Sequence, residues 1–180
     1  MIITYFNTTQ KHRYDVFSDK KVNLFTMIKK LWKKTHVIYD VLQKEPLFIL
    51  KKKAGLAYVL YDINKVKVAK VMLNRRNRFY KEVMIIPYLK DYKDRTCTAF
   101  GDIKGYLFSI LMDNEVYLTM KAHFDNPYER KIELYDETDE TYALGLMFAV
   151  FLLSLDVEAF IKRKEKRRKE NFEKALKKKI

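Results

Sequence analysis

The residues from Tyr142 to Leu155, YALGLMFAVFLLSL, constrain the fold more than any other stretch of the chain. They are apolar on every face of a helix and are interrupted only by Gly145 and Ser154. A helix that is apolar all round must be buried on all sides or lie in lipid. The stretch falls short of the about 20 residues that span a bilayer. We therefore predict a helix through the middle of a small domain, with a membrane-inserted anchor as the alternative.

The residues that flank this stretch favour a helix over a buried strand. Upstream lies an acidic run, Asp136, Glu137, Asp139 and Glu140, which suits the positive end of a helix dipole. The side chain of Asp136, Thr138 or Asp139 can cap the helix by accepting hydrogen bonds from its first free backbone N–H groups. Downstream the chain becomes strongly basic, as helix C-termini prefer. Capping explains the acidic run better than a cation site does, and we place the central helix at 139–156.

Most of the chain before that helix has the pattern of an antiparallel sheet. Short runs of β-branched and aromatic residues alternate with turn signals about every 8 to 12 residues. One or two short strands, IITYF and RYDVF, are predicted within 1–17. The further predicted strands are His36–Leu42, Leu47–Lys52, Ala57–Asp62, Val66–Leu73, Tyr80–Ile86, Thr96–Phe100, Tyr106–Met112, Val116–Ala122 and Lys131–Tyr135.

The segment 19–34 is predicted as an early amphipathic helix. Four apolar residues recur there at helical spacing, namely Val22, Phe25, Ile28 and Trp32, and lysines occupy the other face. Ser18 or Asp19 can cap its start. We expect this helix to pack on the sheet, and a helix lying on a membrane with Trp32 at the interface is the alternative.

A weak internal repeat links three of the predicted strands. The sequences HVIYD, YVLYD and IELYD, at 36–40, 58–62 and 132–136, each end in Tyr-Asp. We predict that Asp40, Asp62 and Asp136 close the turns that follow by accepting backbone N–H groups.

Three features together resemble the tubby C-terminal-like fold. They are the strand hairpin VLYDINKVKVAKV, the early amphipathic segment, and the acidic turn that leads into an apolar helix, IELYDETDETYALGLMFAVFLLSLD. The chain is most similar to the small bacterial members, akin to LURP-one-related proteins and phospholipid scramblases, over residues 2–156. The resemblance implies a closed antiparallel barrel around a central hydrophobic C-terminal helix, and it carries no catalytic signature. Eukaryotic tubby domains bind phosphoinositide head groups through basic residues, but those residues do not align with positions of this chain.

The positive charge of the chain is concentrated at its end. The whole chain has 37 Lys and Arg against 23 Asp and Glu, a net charge of +14. Residues 162–180 hold 11 of the former and 3 of the latter, or +8, which leaves 26 against 20, or +6, for the rest. We predict a domain at 1–158 and a basic helical tail at 159–180 that extends the central helix outwards.

Three basic clusters are candidate anion-binding sites. The first, at a predicted turn, contains Arg75, Arg76, Arg78 and Lys81 beside two aromatic residues. The second is Lys51, Lys52 and Lys53, and the third lies on the tail at Lys162, Arg163, Lys164, Arg167 and Arg168. Arginine forks bind phosphate oxygens bidentately, and lysine-rich helices adhere to anionic membranes or nucleic acid. Solvated loops and a solvated helix are the alternatives.

The chain shows no recognisable catalytic motif. His12, His36 and His123 are far apart in the sequence, so no metal-ligand spacing is present. Cys97 stands alone, which excludes an internal disulfide and fits a reducing compartment. We find no phosphate-binding loop, dinucleotide fingerprint or nucleophile elbow. We expect a protein that is not an enzyme and holds no cofactor or metal.

These observations lead to a prediction about function. We expect a non-enzymatic module that docks reversibly on anionic lipid or another polyanion through its basic loops and tail. A nucleic-acid-binding protein and an adaptor whose tail pairs with an acidic protein partner are the alternatives. The N-terminus lacks a basic segment followed by an apolar one, so we expect a cytoplasmic protein, with a peripheral position at the membrane if the lipid prediction holds.

Overall fold

The fold is a mainly antiparallel sheet wrapped around one long helix. The computed structural model describes residues 2–10, 13–30, 34–74, 83–102, 107–122, 129–135 and 139–177, and their side chains except in 2–10, 122, 129 and 175–177. The strands are β1 (Ile2–Gln10), β2 (Arg13–Ser18), β3 (Asn23–Lys29), β4 (Thr35–Asp40), β5 (Glu45–Lys53), β6 (Ala57–Asp62), β7 (Lys67–Leu73), β8 (Val83–Pro87), β9 (Cys97–Asp102), β10 (Leu107–Met112), β11 (Glu115–Ala122) and β12 (Glu129–Leu134). The helix is α1 (Glu140–Lys177).

The strands form a barrel-like sheet in which each strand pairs with its neighbours in the sequence. Every pairing is antiparallel, and β1 is hydrogen-bonded to both β2 and β12. Successive turns therefore lie alternately at the two ends of the sheet. Inward-facing residues such as Val16, Leu60 and Ile110 are fully buried, and they pack against the apolar half of α1.

The predicted strands match the observed ones closely. The prediction for β6 has the observed bounds, and the other bounds differ by a few residues at one or both ends. The alternation of apolar and polar residues that marks a half-buried strand is local, so it can be read without knowing the partner strand. The prediction of an antiparallel sheet packed on a C-terminal helix is confirmed.

The early helix predicted at 19–34 is wrong, because Asn23–Lys29 forms strand β3. It pairs with β2 on one side and with β4 on the other. The predicted cap residues form the preceding hairpin turn instead: Lys21 N–H donates to the Ser18 carbonyl at 3.0 Å, and Val22 N–H to Ser18 Oγ at 3.2 Å. The apolar run LFTMI fits both periodicities, and hydrogen-bonded pairing with the strands that precede and follow it decided between them. Trp32 lies outside the described residues.

The turn role predicted for the repeated aspartates is confirmed at two positions. Asp40 Oδ1 accepts from the N–H groups of Leu42 and Gln43, at 2.8 and 2.9 Å. Asp62 Oδ1 accepts from Val66 N–H at 2.7 Å. A carboxylate can bond to its own turn in this way because its side chain is short. Asp136, the third position, lies outside the described residues.

Helix α1 begins with the predicted cap and is continuous from the core into the tail. Asp139 Oδ1 accepts from Tyr142 N–H at 3.0 Å, as an N-cap does. From Tyr142 to Ser154 all residues are buried, whereas nearly all residues from Ala159 to Lys174 are exposed. Gly145 lets the helix lie close to the sheet, since a Cβ there would be 3.0 Å from the Leu60 side chain.

By length and composition, α1 is apolar enough to cross a membrane. Its most apolar window of 18 residues has a mean hydropathy of 2.1. About two thirds of that window, 67%, is buried inside the protein. The core helix of a soluble protein has the same properties, so this measure does not argue for a transmembrane helix.

Candidate polyanion-docking surface

The helix leaves the sheet beside the hairpin of β5 and β6. We call this place, where the buried half of α1 meets its exposed half, the junction. Lys52 Nζ lies 2.5 Å from Asp156 Oδ1, and the Tyr58 hydroxyl donates to Asp156 Oδ2 at 2.8 Å. Burial, followed by the Asp156 carboxylate, raises the pKa of Tyr58 well above its usual range. The Asp156 carboxylate thus ties the last buried turns of α1 to β5 and β6.

A cavity of about 430 Å³ opens next to this junction. It is lined by Lys34, Lys52, Lys53, the backbone turn at 54–56 and Phe160 of α1. Lys34 is held close to β5 because its carbonyl accepts from Lys52 N–H at 3.0 Å. We call this cavity the basic cleft. Lys34 and Lys53 give it a positive charge, since the charge of Lys52 is balanced by Asp156, and Phe160, which is 50% exposed, gives it an aromatic wall.

The exposed half of α1, Glu158–Lys174, continues outwards from the basic cleft. It carries eight Lys and Arg and four Glu. Ile161 still packs against the core, and at about 1.5 Å per residue the part from Lys162 to Lys174 extends roughly 20 Å further. Two of its cations are paired within the helix: Lys162 lies 2.6 Å from Glu158, and Lys166 lies 4.0 Å from Glu170.

The structure brings two of the three predicted basic clusters together. Lys52 and Lys53 line the basic cleft, at the base of the helix that carries Lys162, Arg163, Lys164, Arg167 and Arg168. Lys51 is the exception in its cluster, since its ammonium lies 4.8 Å above the Tyr61 ring. Arg75, Arg76, Arg78 and Lys81 lie outside the described residues. Their described neighbour Asn74 borders a second cavity of about 700 Å³, whose lining shares Ala54 and Gly55 with the cleft.

Two residues of the basic cleft were missed by the sequence reasoning. Lys34 was assigned to the solvated face of a helix that does not form, and Phe160 was not singled out. A sequence signal for Phe160 did exist: it stands three and four residues before Arg163 and Lys164, so all three share one side of a helix. No local signal predicts that Lys34 and Lys52 are neighbours, because their contact depends on strand pairing.

The opposite end of the sheet, where α1 begins, is mixed in charge. The turn between β4 and β5 carries Asp40, Lys44 and Glu45, and the turn between β6 and β7 carries Asp62 and Lys65. Two of these carboxylates, Asp40 and Asp62, accept hydrogen bonds from their own turns, as described above. These two turns carry both signs of charge, whereas the three described residues Lys34, Lys52 and Lys53, at the end where the helix leaves, are all cations.

Other titratable groups have structural explanations. Glu133 accepts from Lys121 at 2.7 Å and lies 3.0 Å from Lys131, and these hydrogen bonds lower its pKa to about 2. Burial raises the pKa of Cys97 to about 12, which disfavours the reactive thiolate. Within the described part of the chain, His, Cys, Asp and Glu form no group of three that could hold a metal.

Comparisons with known proteins place this fold. No protein-family model matches the chain, and no curated protein matches its sequence. The X-ray structure of an Arabidopsis thaliana protein, AT5G01750, which is LURP-one-related, superposes with a TM-score of 0.60 at 11% identity. The match covers 86% of this chain and 92% of that one. At this identity the likeness concerns the fold, and the chain therefore has the tubby-like fold that its sequence resemblance implied.

Proposed function

We propose that this protein is a non-enzymatic module that docks reversibly on anionic lipid through the basic cleft and the exposed half of α1. The observation that carries the proposal is the gathering of Lys34, Lys53 and the basic part of the helix at one end of the molecule. Each Lys or Arg near an anionic bilayer contributes about 1 kcal/mol. Several of them acting together suffice for reversible adhesion.

The chemistry of this surface suits adhesion better than insertion. Phe172 is 68% exposed and Phe160 is 50% exposed, but charged residues separate them along the helix. The exposed half therefore lacks the wide apolar stripe with which amphipathic helices enter a membrane. Adhesion would rest on charge, so it should weaken as salt rises and the screening length falls to about 8 Å at physiological ionic strength.

Co-sedimentation with vesicles tests the proposal. We expect the full chain to bind vesicles of phosphatidylcholine mixed with phosphatidylserine. With vesicles of pure phosphatidylcholine, the protein should remain in the supernatant. A chain that ends at Ile161 keeps the last residues that pack on the core, so it retains the fold. It should lose most of the binding, by a hundredfold or more, since about 1 kcal/mol is lost for each removed cation at the surface.

Nucleic acid is the second candidate ligand, and the basic cleft is the observation that favours it. Grooves that bind single strands combine cations along the backbone with an aromatic ring on which a base stacks. Phe160 between Lys53 and Arg163 offers this combination. A gel shift with single-stranded DNA and RNA should be run beside the vesicle experiment. Binding to nucleic acid with no binding to phosphatidylserine would overturn the lipid proposal, and binding to neither would overturn both.

A further inference from the structure

The four glutamates of the exposed half of α1 lie on one side of the helix. Successive residues are about 100° apart around an α-helix. At this spacing Glu158, Glu165, Glu170 and Glu173 fall within an arc of about 140°. The same arc holds Lys162, Lys166 and Lys169. This side, which we call the mixed face, has three cations against four carboxylates.

The ion pairs of the helix belong to the mixed face. Lys162 pairs with Glu158 and Lys166 lies within reach of Glu170. Lys169 stands one turn from a glutamate in each direction, at 165 and 173. The positive charge of this side is therefore neutralised locally before any ligand approaches.

On the remaining arc, of about 220°, all the charged residues are cations. It includes Phe160, Arg163, Lys164, Arg167, Arg168 and Lys174, which we call the acid-free face. Within Glu158–Lys174, all of which the structure describes, this face holds five cations and no carboxylate. The side chains from Lys162 to Lys174 are exposed, so these cations reach solvent, although Arg163 Nε also donates to the Ala159 carbonyl at 3.1 Å and Lys174 stands one turn after Glu170.

The acid-free face lies on the same side of the molecule as the β5–β6 hairpin. Phe160 belongs to this face and lines the basic cleft together with Lys52 and Lys53. The next residues outwards on the same side are Arg163, Lys164 and Arg167. The cations of the sheet and those of the helix thus form one continuous surface, and the mixed face points away from it.

From this arrangement we infer that the exposed half of α1 docks on an anionic phospholipid surface through its acid-free face alone. The inference rests on the proposed function and adds an orientation to it, with the β5–β6 hairpin turned towards the lipid. A helix is about 10 Å across. When the acid-free face touches the lipid, the mixed face is therefore about one screening length away and contributes little.

Two triple variants with the same change of charge test the inference. In the first, Lys164→Gln, Arg167→Gln and Arg168→Gln remove three cations from the acid-free face. In the second, Lys162→Gln, Lys166→Gln and Lys169→Gln remove three from the mixed face, over the same stretch of helix. Glutamine is nearly as good a helix former as lysine or arginine, so both variants should keep the helix, which circular dichroism checks.

We expect the first triple variant to bind mixed phosphatidylcholine–phosphatidylserine vesicles about a hundredfold more weakly than the unaltered chain. The second should lose less than about tenfold, since its cations are neutralised and distant from the lipid. Equal losses in the two variants, with the unaltered chain still binding, would overturn the orientation and leave the proposed function intact. Absence of vesicle binding by the unaltered chain would overturn the proposed function, and the inference with it.

A fluorescent probe gives an independent reading of the same orientation. The chain has a single tryptophan, so a Trp32→Phe background removes the native signal. Position 164 lies on the acid-free face and position 169 on the mixed face. With vesicles added, we expect Lys164→Trp to be shielded from an aqueous quencher and Lys169→Trp to stay accessible. Equal shielding at the two positions would contradict the inference.

Discussion

One helix, α1, spends its first half in the core and its second half in water, and the two halves differ in almost every physical respect. Between Tyr142 and Val157 its side chains fill the interior of the sheet. Between Glu158 and Lys174 it has charged residues at most positions, and beyond Ile161 none of these residues belongs to the core of the described structure. The backbone is nevertheless a single unbroken helix.

The comparison shows that the two halves of the helix are stabilised by different interactions. The buried half is stabilised by packing, because most helix stability in proteins comes from tertiary contacts. The exposed half is an extension from a nucleus that is already formed, supported by good helix formers and by pairs such as Glu158 with Lys162. Its sequence is therefore free to carry a pattern of charge, which the proposed docking on lipid would use.

The largest expected difference between the halves is the loss of stability when a phenylalanine is replaced by alanine. Phe148 is fully buried, whereas Phe172 is 68% exposed. We expect Phe148→Ala to lower the free energy of unfolding by about 3–5 kcal/mol, because it removes buried apolar surface and leaves a cavity. Phe172→Ala should change it by less than about 0.5 kcal/mol. Urea unfolding of the two variants measures both values.

Phe172→Ala is the control for Phe148→Ala. Both substitutions change phenylalanine to alanine in the same helix, so they share any effect of helix propensity. If Phe148→Ala does not fold, Phe148→Leu provides a milder change at the same site. A large loss at Phe172 would contradict the comparison and show that the exposed half is covered in solution.

A smaller effect is expected from enlarging a small residue in each half. A side chain at Gly145 would meet Leu60 and Phe48, with the nearest atom 3.0 Å from its Cβ. We expect Gly145→Leu to cost about 1–3 kcal/mol by overpacking. Ala159→Leu, in the exposed half, is the matched control and should have no comparable cost. Thermal unfolding measures both, and a tolerated leucine at 145 would show that the helix can move away from β5 and β6.

The smallest expected effect is a pH-dependent change in stability at Tyr58, where the buried half of α1 meets the exposed half. Burial and the Asp156 carboxylate hold the pKa of Tyr58 above that of a free tyrosine, which is about 10. Above pH 10 the unfolded chain ionises this phenol while the folded chain does not, so its contribution to stability is complete below pH 10 and declines as pH rises. We expect Tyr58→Phe to reduce the loss of stability between pH 10 and 11 by about 1 kcal/mol.

Urea unfolding as a function of pH checks this expectation, and Tyr61→Phe on the same strand is the control, since Tyr61 is only partly buried. An unchanged slope in Tyr58→Phe would contradict the assigned cause. The buried tyrosines Tyr14 and Tyr142 also have raised pKa values caused by burial, so part of the alkaline slope should remain in the variant.

Much of the candidate surface could be predicted from the sequence, but not its assembly. Lys52, Lys53 and the cations at 162–168 stand out as local clusters of charge. The distribution of charge around the helix is also contained in the sequence, since a period of about 3.6 residues sorts Glu158, Glu165 and Glu173 away from Arg167. That Lys51 faces an aromatic ring while Lys53 lines the cleft requires the strand positions.

The local features can be predicted from the sequence: the strand segments other than Asn23–Lys29, the buried helix with its Asp139 cap, and the turns closed by Asp40 and Asp62. Each depends on residues within a few positions of one another, so periodicity and capping chemistry suffice. The three-dimensional structure was needed to show that Asn23–Lys29 is a strand and that Lys34, Lys52 and Asp156 meet where the helix leaves the sheet. Those outcomes depend on contacts with other elements, such as the pairing of β3 with β2 and β4, and contacts of this kind override local preference.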